Sequence, residues 1–312
     1  MNVLKAFKAK LLRALAKRMK AKFTYDVTQY PLLAVEERFI PTAWGPARAL
    51  FYWPQKTSGE SLPVYLNLHG GGFVAGVPEH DGSYCHRLAH NLGCLVVNLD
   101  YVLAPEHPFP AGLRQSFAVL EWLAEQATAL GIDPQRIAVG GHSAGGNLAT
   151  GLANLARGHQ RLRVVHQVID YAALDLVQDP GLKPSTIDKP LLGPGLGRFF
   201  NLCYLSDPAQ ARDPLASPLQ ATVEQLQGMP AATLITAEHD ILRVEGQAYA
   251  EKLRQAGVAV NERMFAGCDH MFTHLGPDAS AQEAWQFIED ALDDAFRCAV
   301  EKVDIASGKV LV

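Results

Sequence analysis

An α/β architecture with a mostly parallel central sheet is predicted by two features of the 312-residue sequence. From residue 35 onward, short β-branched runs alternate with longer stretches of helical apolar periodicity, the pattern of strands joined by helical crossovers. In addition, two glycine-rich turns, His69-Gly70-Gly71-Gly72 and Gly140-Gly141-His142-Ser143-Ala144-Gly145-Gly146, each follow such a run directly, at the strand ends where open α/β sheets keep their sites.

Taken in order, the expected strands are 36–41, 47–53, 64–68, 94–100, 136–139, 164–169, 233–236 and 261–265. Helices are expected over 81–91, 111–130, 144–156, 242–255 and 281–297, with Gly131 and Gly257 as C-terminal caps. Between Asp175 and Pro230 lie seven prolines and no strong strand, too long an interval for a simple connection. It is expected to pack helices over the end of the sheet. Without internal repeats, residues 1–312 are read as one domain with a helical cap drawn from 1–34 and about 175–230.

Composition narrows the function class. With 48% hydrophobic and 19% charged residues, the chain has enough apolar material for a large core and is not intrinsically disordered. Apolar runs such as 95–99 stop far short of the roughly 20 residues that cross a bilayer. A net charge of -4 argues against a nucleic-acid binder. The charge is unevenly spread, however: the first 22 residues hold eight cations and no acid, leaving the rest at -12.

Leu4, Phe7, Leu11, Leu15, Met19 and Phe23 recur in that basic segment at spacings of three or four, as on one helix face. The expected arrangement docks this face on the protein with the lysines in water, although such a helix also suits a membrane surface. Arg13 breaks the apolar run and no cleavage site follows, so the segment does not read as a secretion signal, and a cytoplasmic location is expected. Five cysteines without a CxxC pair read as free thiols. His86 and His90 lie four apart but lack an HExxH context, so neither metal nor cofactor is expected.

The chemistry concentrates at the two turns. A strand running into Gly-x-Ser-x-Gly and then a helix describes a sharp bend that lifts the Ser143 hydroxyl above the sheet edge, and small neighbours are needed for the bend. No P-loop lysine is present. The glycines after His69 leave backbone N–H groups free to face an oxyanion, as acyl transfer requires. A serine nucleophile needs a base held by an acid. Ala237-Glu238-His239-Asp240 and Gly267-Cys268-Asp269-His270 both follow strands, so spacing leaves Glu238 competing with Asp240, and His239 or His274 with His270.

The stretches HGGGFVAG (69–76), DYVLAPEHPFPAG (100–112), GGHSAGGNLA (140–149), TAEHDILRVEGQAYAEKLRQAGV (236–258) and GCDHMF (267–272) resemble the hormone-sensitive-lipase-like carboxylesterases of the α/β-hydrolase fold. The resemblance implies Ser143 as nucleophile, Asp240 as acid and His270 as base, an oxyanion hole from the amides of Gly71, Gly72 and Ala144, and His69 as a brace for the glycine loop. The family pattern is departed from at four positions. His142 stands where Asp is common, Val102 replaces an Arg, Ile241 a Pro and Met271 a Gly. His142 is expected to pack as a neutral side chain.

The function so implied is a serine carboxylesterase acting on short- to medium-chain esters through an acyl-enzyme. An arylformamidase-type amidase on the same fold and a membrane-associated lipase are the alternatives. Phe199, Phe200, Tyr204, Leu191, Leu192 and Leu196 are candidates for an apolar substrate pocket or, equally, for the cap's own core.

Overall fold

A computed structural model describes residues 3–19, 26–55 and 61–307. Its eight-stranded sheet comprises β1 (Leu32–Ile40), β2 (Ala47–Pro54), β3 (Leu62–Leu68), β4 (Leu95–Asp100), β5 (Ile132–His142), β6 (Val164–Asp170), β7 (Ala231–Ala237) and β8 (Val260–Phe265), in the spatial order β1-β2-β4-β3-β5-β6-β7-β8. β1 and β2 join antiparallel, and from β4 to β8 every pairing is parallel.

All seven residues of β3 are buried, as a central parallel strand covered on both faces requires. One face is covered by α3 (Ala111–Glu125), α5 (Ala144–Ala156) and α8 (Arg243–Gln255) through Leu120, Leu152 and Leu253. The other is covered by α2 (Gly82–Leu92) and α10 (Asp278–Ser307) through Leu88, Ile288 and Leu292. The helix expected over 111–130 stops at Glu125 and resumes as the single turn α4 (Ala127–Leu130), which ends on Gly131 at φ 64°.

The interval 175–230 carries α6 (Pro194–Tyr204) and the one-turn α7 (Val223–Leu226) among short 3-10 turns. It is tied to the body through Lys183, buried against Glu245 of α8, whose carboxylate also accepts the amides of Leu174 (2.7 Å) and Asp175 (3.2 Å).

The N-terminal helix α1 (Val3–Met19) corrects one expectation. Its protein-facing side is Ala9, Leu12, Arg13 and Ala16, while Leu4, Phe7, Leu11 and Leu15 are 48–64% exposed. Phe23 and the side chain of Met19 lie outside the described residues. The reason is local: Ala9 and Ala16 allow a close approach, and Arg13 reaches the carbonyls of Val74 (2.7 Å) and Ala104 (2.5 Å) and the Glu106 carboxylate (2.6 Å). Those polar anchors lie on that side.

α2 and α10 are joined by a buried ion pair, Arg87 Nε to Glu289 Oε1 at 2.6 Å, with Gln286 accepting a further guanidinium hydrogen bond. Arg87→Ala strands the Glu289 charge in the interface and is expected to lower unfolding free energy by about 3–5 kcal/mol. Replacing both partners with Met or Leu is expected to recover most of that loss in urea unfolding.

Candidate active site

Strand order dictates what meets at the C-terminal edge. β5 lies beside β3 with Gly141 opposite Leu68, so the turn after β5 sits against the loop after β3. Room for this contact exists because of glycine: a Cβ on Gly145 would stand 1.9 Å from the Leu68 carbonyl oxygen, and one on Gly141 2.2 Å from it. Ser143 caps α5 at φ 53°, ψ -115°, a backbone state costing of order 1–3 kcal/mol and held here by the packing around it.

β7 and β8 are adjacent, with Ala237 paired to Phe265, and the turns that follow them bring Asp240 and His270 together. His270 Nδ1 donates to Asp240 Oδ2 at 2.6 Å, and its Nε2 lies 3.0 Å from Ser143 Oγ. Asp240 also accepts the amide of Leu242 at 3.0 Å. The three side chains are buried. Burial alone would lower the His270 pKa, but the Asp240 charge and its hydrogen bond override this and raise it above the ordinary imidazole value.

The competing residues are engaged elsewhere. Glu238 accepts the amide of Gly267 (2.7 Å), His239 Nδ1 faces Thr186 Oγ1 (2.6 Å), and His274 Nε2 faces Asp81 Oδ1 (2.9 Å). Gly71 and Gly72 have φ 122° and 61°, and Ala144 is the first residue of α5, where free amides collect. His69 stacks on Tyr101 with ring centroids 4.4 Å apart and points Nδ1 at the Gly70 carbonyl (2.8 Å), while Tyr101 donates to the His69 carbonyl (2.8 Å).

The four departures acquire local roles. Met271 sits at φ 63°, ψ 20°, the left-handed region where glycine is unstrained, so the usual Gly has a conformational reason. Asp100 takes a cation from Arg48 of β2, which also pairs with Glu37 and Glu79 (2.7 Å), in place of any arginine at Val102. Nothing local in the sequence signals Arg48. Ile241 packs with Leu192 and Leu242. His142 does more than pack: its Nδ1 is 2.6 Å from the buried Asp170 carboxylate, and although burial opposes it, the charge of Asp81 and the hydrogen bond and charge of Asp170 raise its pKa.

Ser143 lies between two cavities. The larger, about 230 Å³, is walled by Leu12 and Ala16 of α1, by Leu191, Leu192, Leu196 and Phe200, and on its polar side by Asp81, His142 and His274. The smaller, about 30 Å³, lies between Ser143, Ala144, Ile241 and Phe200 and has room for little more than a methyl group or one water. Phe199 is outside both linings, and Tyr204 is buried in a stack on Phe73 with centroids 3.7 Å apart.

A serine, histidine and aspartate in hydrogen-bonded series at the carboxyl edge of this sheet define a hydrolase of the α/β type. The family model described as the alpha/beta hydrolase fold matches residues 65–274. The chain belongs to that family, within its hormone-sensitive-lipase-like carboxylesterases. It is 40% identical over 243 residues to carboxylesterase NlhH of Mycobacterium tuberculosis, covering 74% of this chain and 72% of that one. Identity to an ethyl acetate hydrolase of Pseudomonas putida is 38% over 229 residues, covering 73% and 71%. The solved structure of a hyperthermophilic esterase from the archaeon Pyrobaculum calidifontis superposes with a TM-score of 0.82 at 36% identity, covering 92% of this chain and 93% of that one.

A raised His270 pKa fixes the direction of the pH profile. As a candidate general base His270 works only when neutral, so kcat/KM for a neutral ester is expected to fall as pH drops, with an acid-limb midpoint above the unperturbed value of about 6.5. Asp240→Asn removes the raising charge and is expected to shift that midpoint downward while reducing turnover.

Proposed function

We propose that Ser143, His270 and Asp240 carry out a two-step carboxylic ester hydrolysis. The observation supporting this is the continuous series from Asp240 Oδ2 through both nitrogens of His270 to Ser143 Oγ. His270 takes the serine proton as Oγ attacks the ester carbonyl, and Asp240 stabilises the imidazolium. The negative charge on the tetrahedral oxygen is received by the amides of Gly71, Gly72 and Ala144. His270 then protonates the departing alcohol, and water, deprotonated by the same base, releases the acid. α1 and the interval 175–230 act as the cap, since both wall the larger cavity. The unequal cavities favour esters with one short arm and one longer apolar arm.

Ser143→Ala is expected to cut turnover of p-nitrophenyl esters by a factor on the order of 10⁵ to 10⁶ and abolish covalent labelling by a fluorophosphonate. Full turnover in that variant would refute the assignment. Across a series of acyl chain lengths, kcat/KM is expected to peak at short to medium chains. A matched formamide turned over faster than the ester would favour the amidase reading.

A second reading, attachment to an anionic lipid surface, is favoured by the outward face of α1. Phe7, Leu11 and Leu15 are 64, 53 and 48% exposed, and the exposed cations Lys8, Lys10, Lys17 and Arg18 lie on and beside the same stripe. Apolar insertion between flanking cations is the pattern of an interfacial helix. No helix among the described residues is long and apolar enough to cross a membrane. The intact protein is expected to sediment with vesicles containing phosphatidylserine and to be released by salt. Phe7→Ser with Leu11→Ser is expected to abolish that binding while leaving turnover of soluble esters unchanged. Equal sedimentation of both proteins would sink this reading, as would a concentration-dependent dimer that buries the stripe.

A further inference from the structure

Beside the triad, on the polar wall of the larger cavity, Asp81, His142 and His274 come from three separate segments, and one ligand atom of each lies within 4.8 Å of those of the other two. All three are buried, at 2, 2 and 7% exposure. His142 Nε2 is buried without a hydrogen-bond partner, although a buried polar nitrogen left unsatisfied is costly. Its ring is fixed from the far side, Nδ1 facing Asp170 at 2.6 Å, so that in the neutral ring with its proton on Nδ1 the Nε2 lone pair is directed away from that carboxylate.

The other two residues are held in the same manner. His274 faces Tyr171 through Nδ1 (3.0 Å) and directs Nε2 at Asp81 Oδ1 (2.9 Å). Asp81 receives Asn67 Nδ2 on Oδ2 (2.7 Å), so Oδ1 is the oxygen turned to the histidines. Each residue therefore has one atom secured by an outer partner and another facing the common centre. That is how ligating histidines and carboxylates are oriented around a metal, with a carboxylate or hydroxyl fixing the tautomer behind each ring. Charge points the same way. The ion-pair partners of the buried Asp81 and Asp170 among the described residues are histidines, so two carboxylates stand in one buried region without a lysine or arginine, and a divalent cation matches them in charge.

We propose that Asp81, His142 and His274 form a binding site for a divalent cation of the zinc type, with Asp170, Tyr171 and Asn67 as its outer shell. Two imidazoles and one carboxylate suit zinc by donor type, and the fourth position opens on the cavity, where water or a polar group of a bound ligand completes the coordination. The site is separate from the Ser143 series and has no step in ester hydrolysis, so it stands or falls independently of that reading.

The test is direct metal binding to full-length protein stripped with a chelator. Zinc titration followed by calorimetry, with elemental analysis after desalting, is expected to show one ion per chain. His142→Gln and His274→Gln are each expected to weaken binding at least 100-fold, and Asp170→Asn about 10- to 100-fold through the outer shell. His159→Gln, remote from the cluster, is expected to change nothing. Cobalt(II) added to the unaltered protein is expected to give the visible absorption bands of a four-coordinate site, a readout that needs no variant to fold. Absence of stoichiometric zinc and of those bands would overturn the proposal and leave protons as the only neutralising charges. Undiminished binding by both glutamine variants would overturn it equally.

Discussion

The approach of two backbones to one carbonyl oxygen, that of Leu68, sets the geometry on which the rest of the site depends. Gly141 and Gly145 lie where a Cβ would stand 2.2 and 1.9 Å from it. This closeness brings the turn after β5 against the loop after β3, so that the proposed nucleophile and the candidate amide donors share one small volume. A methyl group at either glycine must push the two loops apart. A displacement of about 1 Å is enough to forfeit much of the advantage of orientation in a reacting pair, so the permissiveness of two residues governs the chemistry proposed for a third.

Around that contact the sheet's carboxyl edge collects buried or half-buried carboxylates, each with its own cationic or cation-forming partner. Asp240 has His270, Asp170 has His142, Asp81 has His274, and Asp100 has Arg48. Of these, the Asp240 pair continues to a serine hydroxyl, that of Ser143. The like construction of three His–carboxylate pairs explains why residue types alone leave several acids and bases in contention, and why geometry separates them.

Much of the fold was legible because its signals are local. Alternation of β-branched runs with helical periods marks all eight strands to within a few residues, and the glycine turns announce which strand ends carry function. The choice among Glu238, Asp240, His239, His270 and His274 rested on resemblance, since it depends on how turns separated by some thirty residues face each other. Arg48 escaped notice because its three carboxylate partners come from β1, β4 and the segment between β3 and α2. The orientation of α1 misled for a different reason. Amphipathic periodicity identifies the more apolar face, but the buried face was set by two alanines that permit close contact and by an arginine with carbonyls to reach.

That orientation gives α1 two surfaces with different audiences. Inward, Leu12 and Ala16 wall the cavity beside Ser143; outward, Phe7, Leu11 and Leu15 face solvent. A rigid helix cannot move one surface without the other. Any partner that draws the outer face away from the body enlarges the cavity, and any molecule that fills the cavity against Leu12 and Ala16 holds the outer face in place. By thermodynamic reciprocity the two effects are equal in free energy. If the outer face takes up the lipid attachment proposed for it, occupancy within and attachment without are coupled through one helix of seventeen residues.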